Sequence, residues 1–190
     1  MHLQLYNHPV GYVVLINGMK IPHGAFERYL LFYKYYFKEQ RKMKELKIMK
    51  SITLNADVAK VWEALTTPEM IKRYTLGTEV VSNWKVGSPI LWIKTLEEEE
   101  IISEKGSIER IEVGKLLQFT SFDLNTKYSD VPSNYIQATY ELTPKLGKTV
   151  LSVTQGDYSR VEDGIKRFTD ADGGLNQTLN ALKTLVEKKL

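Results

Sequence analysis

Asp157-Tyr158-Ser159-Arg160 brings an acid, a phenol and a guanidinium together directly after an alternating run, Thr149 to Gln155. Two readings fit this cluster. It could place polar chemistry at the mouth of a binding space, or Asp157 and Arg160 could form a structural ion pair that steers the chain into a helix. Gln155, on the inward parity of that run, could hydrogen-bond a ligand or be satisfied by backbone. Tyr74, Trp84, Trp92, Phe119, Tyr135 and Tyr140 could line an aromatic pocket or serve as ordinary core and rim packing. The more restrictive observation concerns missing groups. Residues 46–190 contain neither His nor Cys. Imidazole bases, thiolate nucleophiles and zinc sites of the usual ligands are therefore unavailable within that stretch. Carboxylates, tyrosines, lysines and arginines remain.

Glu97 to Glu100 is the most visible charge run, between Pro89–Leu96 and Ile101–Glu112. Four carboxylates in a tight bend could hold calcium, but the run lacks the alternating acids and turn glycine of a calcium loop. A solvated hairpin end is expected, with no metal and no cofactor. Asn125 to Ser133, the longest connection between expected strands, reads as a lid over a cavity or as a surface loop.

The chain of 190 residues is long enough for one domain with an appendage and a core that needs no staples. Its net charge of +3 is too small to argue for nucleic acid, and the absence of Cys rules out disulfides. No run approaches membrane-spanning length and none has the form of a signal peptide, so a cytoplasmic location is expected.

The first forty-odd residues differ from the rest. Met1 to Glu45 carries seven Lys and Arg against three Glu, 7 − 3 = +4, which leaves the remainder at −1. All three histidines and six of the eleven tyrosines lie there. The shift sets a boundary, giving a Tyr-rich basic extension over 1–45 and a domain over 46–190. Within the extension, Gly24 to Leu46 reads either as an amphipathic basic helix or as a solvated segment, and translation from an upstream start codon is a further explanation.

From Leu46 onward the pattern is orderly. Ile52, Leu54 and Ala56 alternate within a strand over 48–56. Asp57 is an N-cap, and Val58, Val61, Trp62 and Leu65 follow at helical spacing. Thr67-Pro68 restarts the chain, with Thr67 able to cap a second small helix to Tyr74. Six strands are expected over 78–83, 89–96, 101–112, 115–123, 134–143 and 149–155, joined by short turns and hence antiparallel. Ile136, Ala138, Tyr140 and Leu142, with Leu151, Val153 and Gln155, give the sheet one apolar face, which needs a cover. Leu175, Leu179, Leu182, Leu185 and Val186 supply it on a helix over 174–188. A looser helical piece over 161–168 precedes it, with a turn or a helix N-terminus at Asp170 to Gly174.

These segments, above all "ITLNADVAKVWEALTTPEMIKRY", "KGSIERIEVGKLLQFTSF", "YIQATYELTPKLGKTVLSV" and "GGLNQTLNALKTLVE", resemble the START/Bet v 1-like (SRPBCC) superfamily. Within it the chain is similar to the activator of Hsp90 ATPase homologue 1-like (AHSA1) family. Leu175 and Tyr74 stand where many relatives carry Trp. The resemblance implies an α+β helix-grip fold, in which a curved antiparallel seven-stranded sheet wraps a long C-terminal helix. The two short helices prop that helix off the sheet and leave a cavity. Leu175 and Leu179 from the helix, and Asp157 at the mouth, join the aromatic residues and Gln155 as expected ligand contacts. Such a fold hosts several functions. The leading expectation is non-catalytic binding of a small hydrophobic or amphipathic molecule, lipids included. One alternative is a protein-interaction module resembling an Hsp90 co-chaperone, and another is a cyclase- or hydrolase-like enzyme using Tyr or Asp. A monomer or homodimer is expected.

Overall fold

A computed structural model of the chain describes residues 3–8, 11–16, 19–21 and 45–188. The chain divides into two compact units, Met1–Lys44 and Glu45–Leu190. In the first, β1 (Leu3–His8), β2 (Gly11–Ile16) and β3 (Met19–Ile21) form an antiparallel sheet in that order. The basic helix considered for Gly24 to Leu46 falls outside the described residues as far as Lys44. Glu45 to Lys47 has no regular structure.

The second unit begins with β4 (Ile48–Leu54), whose apolar ends Ile48 and Leu54 are buried. Asp57 then caps α1 (Val58–Thr66), its Oδ1 accepting from Lys60 N at 2.8 Å. This satisfies one of the donors that a helix start leaves free. Val61, Ala64 and Leu65 form the buried face. Pro68 cannot continue α1, and it opens α2 (Pro68–Tyr74) at a position that needs no N–H. Thr67 makes no side-chain cap. It contributes only its carbonyl, which accepts from Met70 N and Ile71 N.

Five strands follow as a meander, β5 (Glu79–Ser82), β6 (Pro89–Leu96), β7 (Glu99–Glu112), β8 (Leu116–Asp123) and β9 (Ile136–Lys145), and β10 (Lys148–Gln155) returns beside β4. The order in the seven-stranded sheet is β4-β10-β9-β8-β7-β6-β5. Every pairing is antiparallel. At the β6–β7 hairpin, Glu97 and Glu98 occupy the turn with φ of 49° and 72°. This is the left-handed backbone that two-residue hairpins favour.

The final helix, α3 (Gly164–Glu187), corrects one expectation. The chain neither turns nor starts a helix between Asp170 and Gly174, and one helix runs through both glycines. The reason lies in the flanking contacts. Phe168 and Ala171 pack on the core ahead of Leu175, so the apolar stripe is continuous across the pair. Glycine in a helix costs only about 1 kcal/mol relative to alanine. A 2.6 Å ion pair between Lys50 and Asp172 holds the middle of the helix to β4. Farther along, Lys183 Nζ donates to Thr53 O and Glu187 accepts from Asn55 N.

Leu175, Leu179, Leu182 and Val186 are the buried residues of α3. They join Leu54, Leu142, Leu151 and Val153 in one core. Each such side chain contributes about 1.5–3 kcal/mol of transfer free energy. Thr149, fully buried, donates from Oγ1 to Ala56 O at 2.8 Å and so closes the β4–α1 corner. Thr149→Val keeps the shape but orphans that carbonyl. A loss of about 1–3 kcal/mol is expected in urea unfolding, with the slope unchanged.

Candidate functional site

Between α3, the two short helices and the sheet lies a cavity of about 700 Å³. Strand register sorts its wall into two poles. On β8 the inward side chains are, in order, Leu117, Phe119, Ser121 and Asp123, a run of about 20 Å at strand rise. Neighbouring strands repeat the gradient. Ile90, Trp92 and Lys94 succeed one another on β6, and Glu104 of β7 stands between Trp92 and Asp123. The apolar pole therefore lies toward Leu117 and Ile90, and the charged pole toward Lys94, Glu104 and Asp123. On α3 the same order holds, with Arg167 and Asp170 before Leu175 and Ala181.

An aromatic run joins the poles. Trp92 and Phe119 lie 5.5 Å apart between ring centroids, and Phe119 stacks on Tyr140 at 5.8 Å. Tyr74, Trp84, Gln155 and Leu175 also border the space. Seven of the ten expected contacts are thereby brought together: Tyr74, Trp84, Trp92, Phe119, Tyr140, Gln155 and Leu175.

The other three lie elsewhere. Tyr135 has the opposite parity to Ile136, so it falls on the outer face. There it stacks on Phe122 at 5.2 Å and donates to Asp130, which is paired with Lys105. Leu179 is buried in the core beyond the cavity wall. Asp157 is a structural carboxylate. It accepts from Leu46 N at 2.8 Å and from Ser159 N and Oγ, and it pairs with Arg160. Burial acts to raise its pKa, but these hydrogen bonds outweigh burial and hold the carboxyl below the usual range.

Two carboxylates at the cavity, Glu104 and Asp123, are not among the residues that the sequence singles out. Glu104 and Asp123 are paired directly across β7 and β8 on the inner face. Burial raises the pKa of Glu104 first, the neighbouring Asp123 raises it further, and Lys94 opposes both. Tyr140 and Tyr158 are each pushed up to about 12, chiefly by burial, and the charge of Glu104 reaches both phenols. Burial, with a smaller effect from Tyr140, raises Tyr74 as well. The hydroxyls of Tyr74, Tyr140 and Tyr158, the Gln155 amide and the Glu104 carboxyl make no hydrogen bond to protein groups among the described residues. None of them is sealed from the cavity space.

The loop after β8 completes the charged pole. Thr126 and Tyr128 form part of the wall. Tyr128 donates to Asp163, and the Arg167 guanidinium lies 5.3 Å from its ring centroid. Buried Asn134 ties this region together. Its Nδ2 donates to Ser129 O, its Oδ1 accepts from Glu162 N, and its carbonyl accepts from Arg167 Nη2 at 3.0 Å.

The raised pKa of Glu104 has a testable sign. Its contribution to stability is fully present below the unfolded value of about 4.3 and is lost as pH rises through the higher folded value. Glu104→Gln, which never ionises, is expected to match the parent in melting temperature below about pH 4 and to exceed it increasingly at higher pH. A difference that does not change with pH would contradict the assignment.

Among the described residues no helix is long and apolar enough to cross a membrane. No curated protein sequence matches the chain at a significant level. Solved structures do. A Cytophaga hutchinsonii protein, known from its solution structure, is 33% identical, with 74% of this chain and 93% of that one covered and a TM-score of 0.61. A Mesorhizobium loti protein at 19% identity covers 76% of this chain and 99% of its own, with a TM-score of 0.59. An Arthrobacter aurescens protein at 15% identity covers 77% and 88%, with a TM-score of 0.63. The last two support the fold alone. The family model described as Activator of Hsp90 ATPase homolog 1-like protein matches residues 55–187, from the end of β4 to the last residue of α3. With the strand order and the helix that spans the sheet, this match shows that the chain belongs to the Activator of Hsp90 ATPase homolog 1-like family.

Proposed function

We propose that the domain binds a small hydrophobic or amphipathic molecule in the cavity without transforming it. One observation carries this reading. A space of about 700 Å³, lined by aromatic and aliphatic side chains, is also faced by hydroxyl, amide and carboxyl groups that have no hydrogen-bond partner among the described residues. Ligand sites combine an apolar wall with a few converging polar groups in this way. Polar groups turned into a collapsed core would instead be bonded within the protein. The lack of His and Cys beyond Leu46 argues for binding rather than catalysis. Asp157, one of the acids considered for chemistry, is committed to structural bonds.

Native mass spectrometry of the purified protein is expected to show a retained small molecule, or thermal-shift screening with fatty and aromatic compounds to raise the melting temperature. A ligand at a hundred times its Kd stabilises by about 2.7 kcal/mol. No bound species and no shift across the whole panel would refute the proposal.

The family description favours a second reading, a protein-interaction module that acts on Hsp90. Its test is the ATPase rate of Hsp90 with and without the domain. An unchanged rate removes this option.

A further inference from the structure

Three phenolic hydroxyls that face the cavity deepen the binding proposal, on which the following rests. Tyr158 is 3% exposed and Tyr74 8% exposed, yet both border the space and neither hydroxyl is sealed from it. Tyr140 borders it as well, and among the described residues none of the three hydroxyls has a hydrogen-bond partner. Phenylalanine would fill the same volume without leaving a buried oxygen to satisfy. The chain nevertheless carries that oxygen three times on one cavity.

Strand register brings these groups together. Ala138 of β9 stands opposite both Phe119 of β8 and Gln155 of β10, and Tyr140 is the next inward residue along β9. Tyr140 and Gln155 are therefore diagonal neighbours, about 7–8 Å apart at the backbone and within reach for long side chains. Tyr158 follows Gln155 by one short turn, its ring edge-on to Phe168 of α3 at 5.9 Å. It stands close enough to Tyr140 for its charge, if ionised, to act on that phenol. Burial keeps both protonated at neutral pH, so each offers a donor. The ions of the cavity wall favour neither sign of ligand. Lys94, Lys166 and Arg167 are matched by Glu104, Asp123 and Asp170. Lys166 pairs with Asp170, and Arg167 gives Nη2 to the Asn134 carbonyl while its Nη1 is closed to the space.

We infer that the cavity takes an uncharged amphipathic ligand whose carbonyl oxygen accepts from the Tyr140 and Tyr158 hydroxyls, with its apolar body along Trp92, Phe119 and Leu175. A carbonyl oxygen has two lone pairs and can accept from two donors at once. A phenol donates better than it accepts, because its oxygen shares electron density with the ring, so a carbonyl suits these groups better than a hydroxyl does. Ketones, esters and amides meet the requirement. A carboxylate is the poorer acceptor here, since the Glu104 carboxyl, beside Asp123, is close enough to act on both phenols. The Gln155 amide, diagonal to Tyr140, can serve a second polar group on the same ligand.

The experiment uses four probes on one frame, the ketone acetophenone, the hydrocarbon ethylbenzene, the anion benzoate and the cation 1-phenylethylamine, titrated by NMR into the full chain and into Tyr140→Phe and Tyr158→Phe. Each substitution removes one unbonded oxygen and keeps the ring, and Tyr135→Phe, whose hydroxyl donates to Asp130 on the outer face, is the control. The parent is expected to bind acetophenone more tightly than either ion. Y140F and Y158F should each weaken acetophenone about fivefold, the value of one neutral hydrogen bond, and leave ethylbenzene unweakened. Y135F should change neither. A ketone-specific loss missing from Y140F or from Y158F, a loss of the same size in Y135F, or a parent that prefers benzoate or the amine would each overturn the inference and leave the binding proposal standing. Binding of none of the four at millimolar concentration would also overturn it, and the binding proposal falls with it only if the fatty and aromatic panel gives no shift either.

Discussion

Gly106→Ala is expected to leave the second unit unfolded or destabilised by more than about 4 kcal/mol. Gly106 lies within β7, between two irregularities of its register. One falls at Ser103, opposite the Trp92–Ile93 step of β6, and the other at Glu109, between Ile108 and Arg110. A Cβ at Gly106 would meet Thr120 O at 1.7 Å, its carbonyl carbon at 2.6 Å and Ser121 Cα at 3.1 Å. All three atoms are backbone of β8, so no rotamer change can relieve the clash. The strands would have to separate at the point where the sheet curves round the cavity. Gly87→Ala is the control. Its φ of +81° carries a conformational penalty, but nothing lies within 4 Å of the added carbon. A loss of about 1 kcal/mol is expected there. Denaturant unfolding of both variants checks the prediction, and similar losses at the two positions would contradict it.

Leu182→Ala should cost about 3–5 kcal/mol in the same measurement. Leu182 is 1% exposed and sits in the core with Leu54, Leu151 and Val186. The helix there is pinned by Lys183 to Thr53 O and by Glu187 to Asn55 N, so it cannot sink to fill the void. Leu175→Ala should cost less, about 2 kcal/mol, because its side chain borders space that already exists. The pair of values therefore separates the packed half of α3 from the half that faces the cavity. Equal costs would mean that the cavity wall is as tightly packed as the core.

Periodicity made most of this architecture readable. The alternation of Ile136, Ala138, Tyr140 and Leu142 assigned the inner face of β9, and Asp57 with Pro68 marked the two short helices. The same parity excludes Tyr135 from the inner face, and only its residue type groups it with the inward aromatics. In the first unit, Tyr12 to Ile16 followed by Asn17-Gly18 carries a hairpin signature, and β2 and β3 flank it. The charged pole was harder to foresee. The extra residue at Ser103 interrupts simple alternation along β7, so the inward direction of Glu104 cannot be counted from Ile101. Gly106, in mid-strand, was an available sign of close backbone approach. Arg167 lay in a segment read as a loose helical piece, and its burial depends on Tyr128 and Asn134, which are distant in sequence. No local pattern encodes that contact.

The pairing of β4 with β10 bears on the order of events during synthesis. Ile48 meets Gln155, and the Asn55 amide finds its acceptor 132 residues later, on Glu187. A nascent chain emerging from the ribosome thus exposes its first strand of the domain long before a partner exists. Contacts of such high sequence separation slow folding and lengthen exposure to aggregation. Ribosome-stalled chains ending before Thr149 should accordingly remain protease-sensitive, and protection should appear only once β10 and α3 have cleared the exit tunnel.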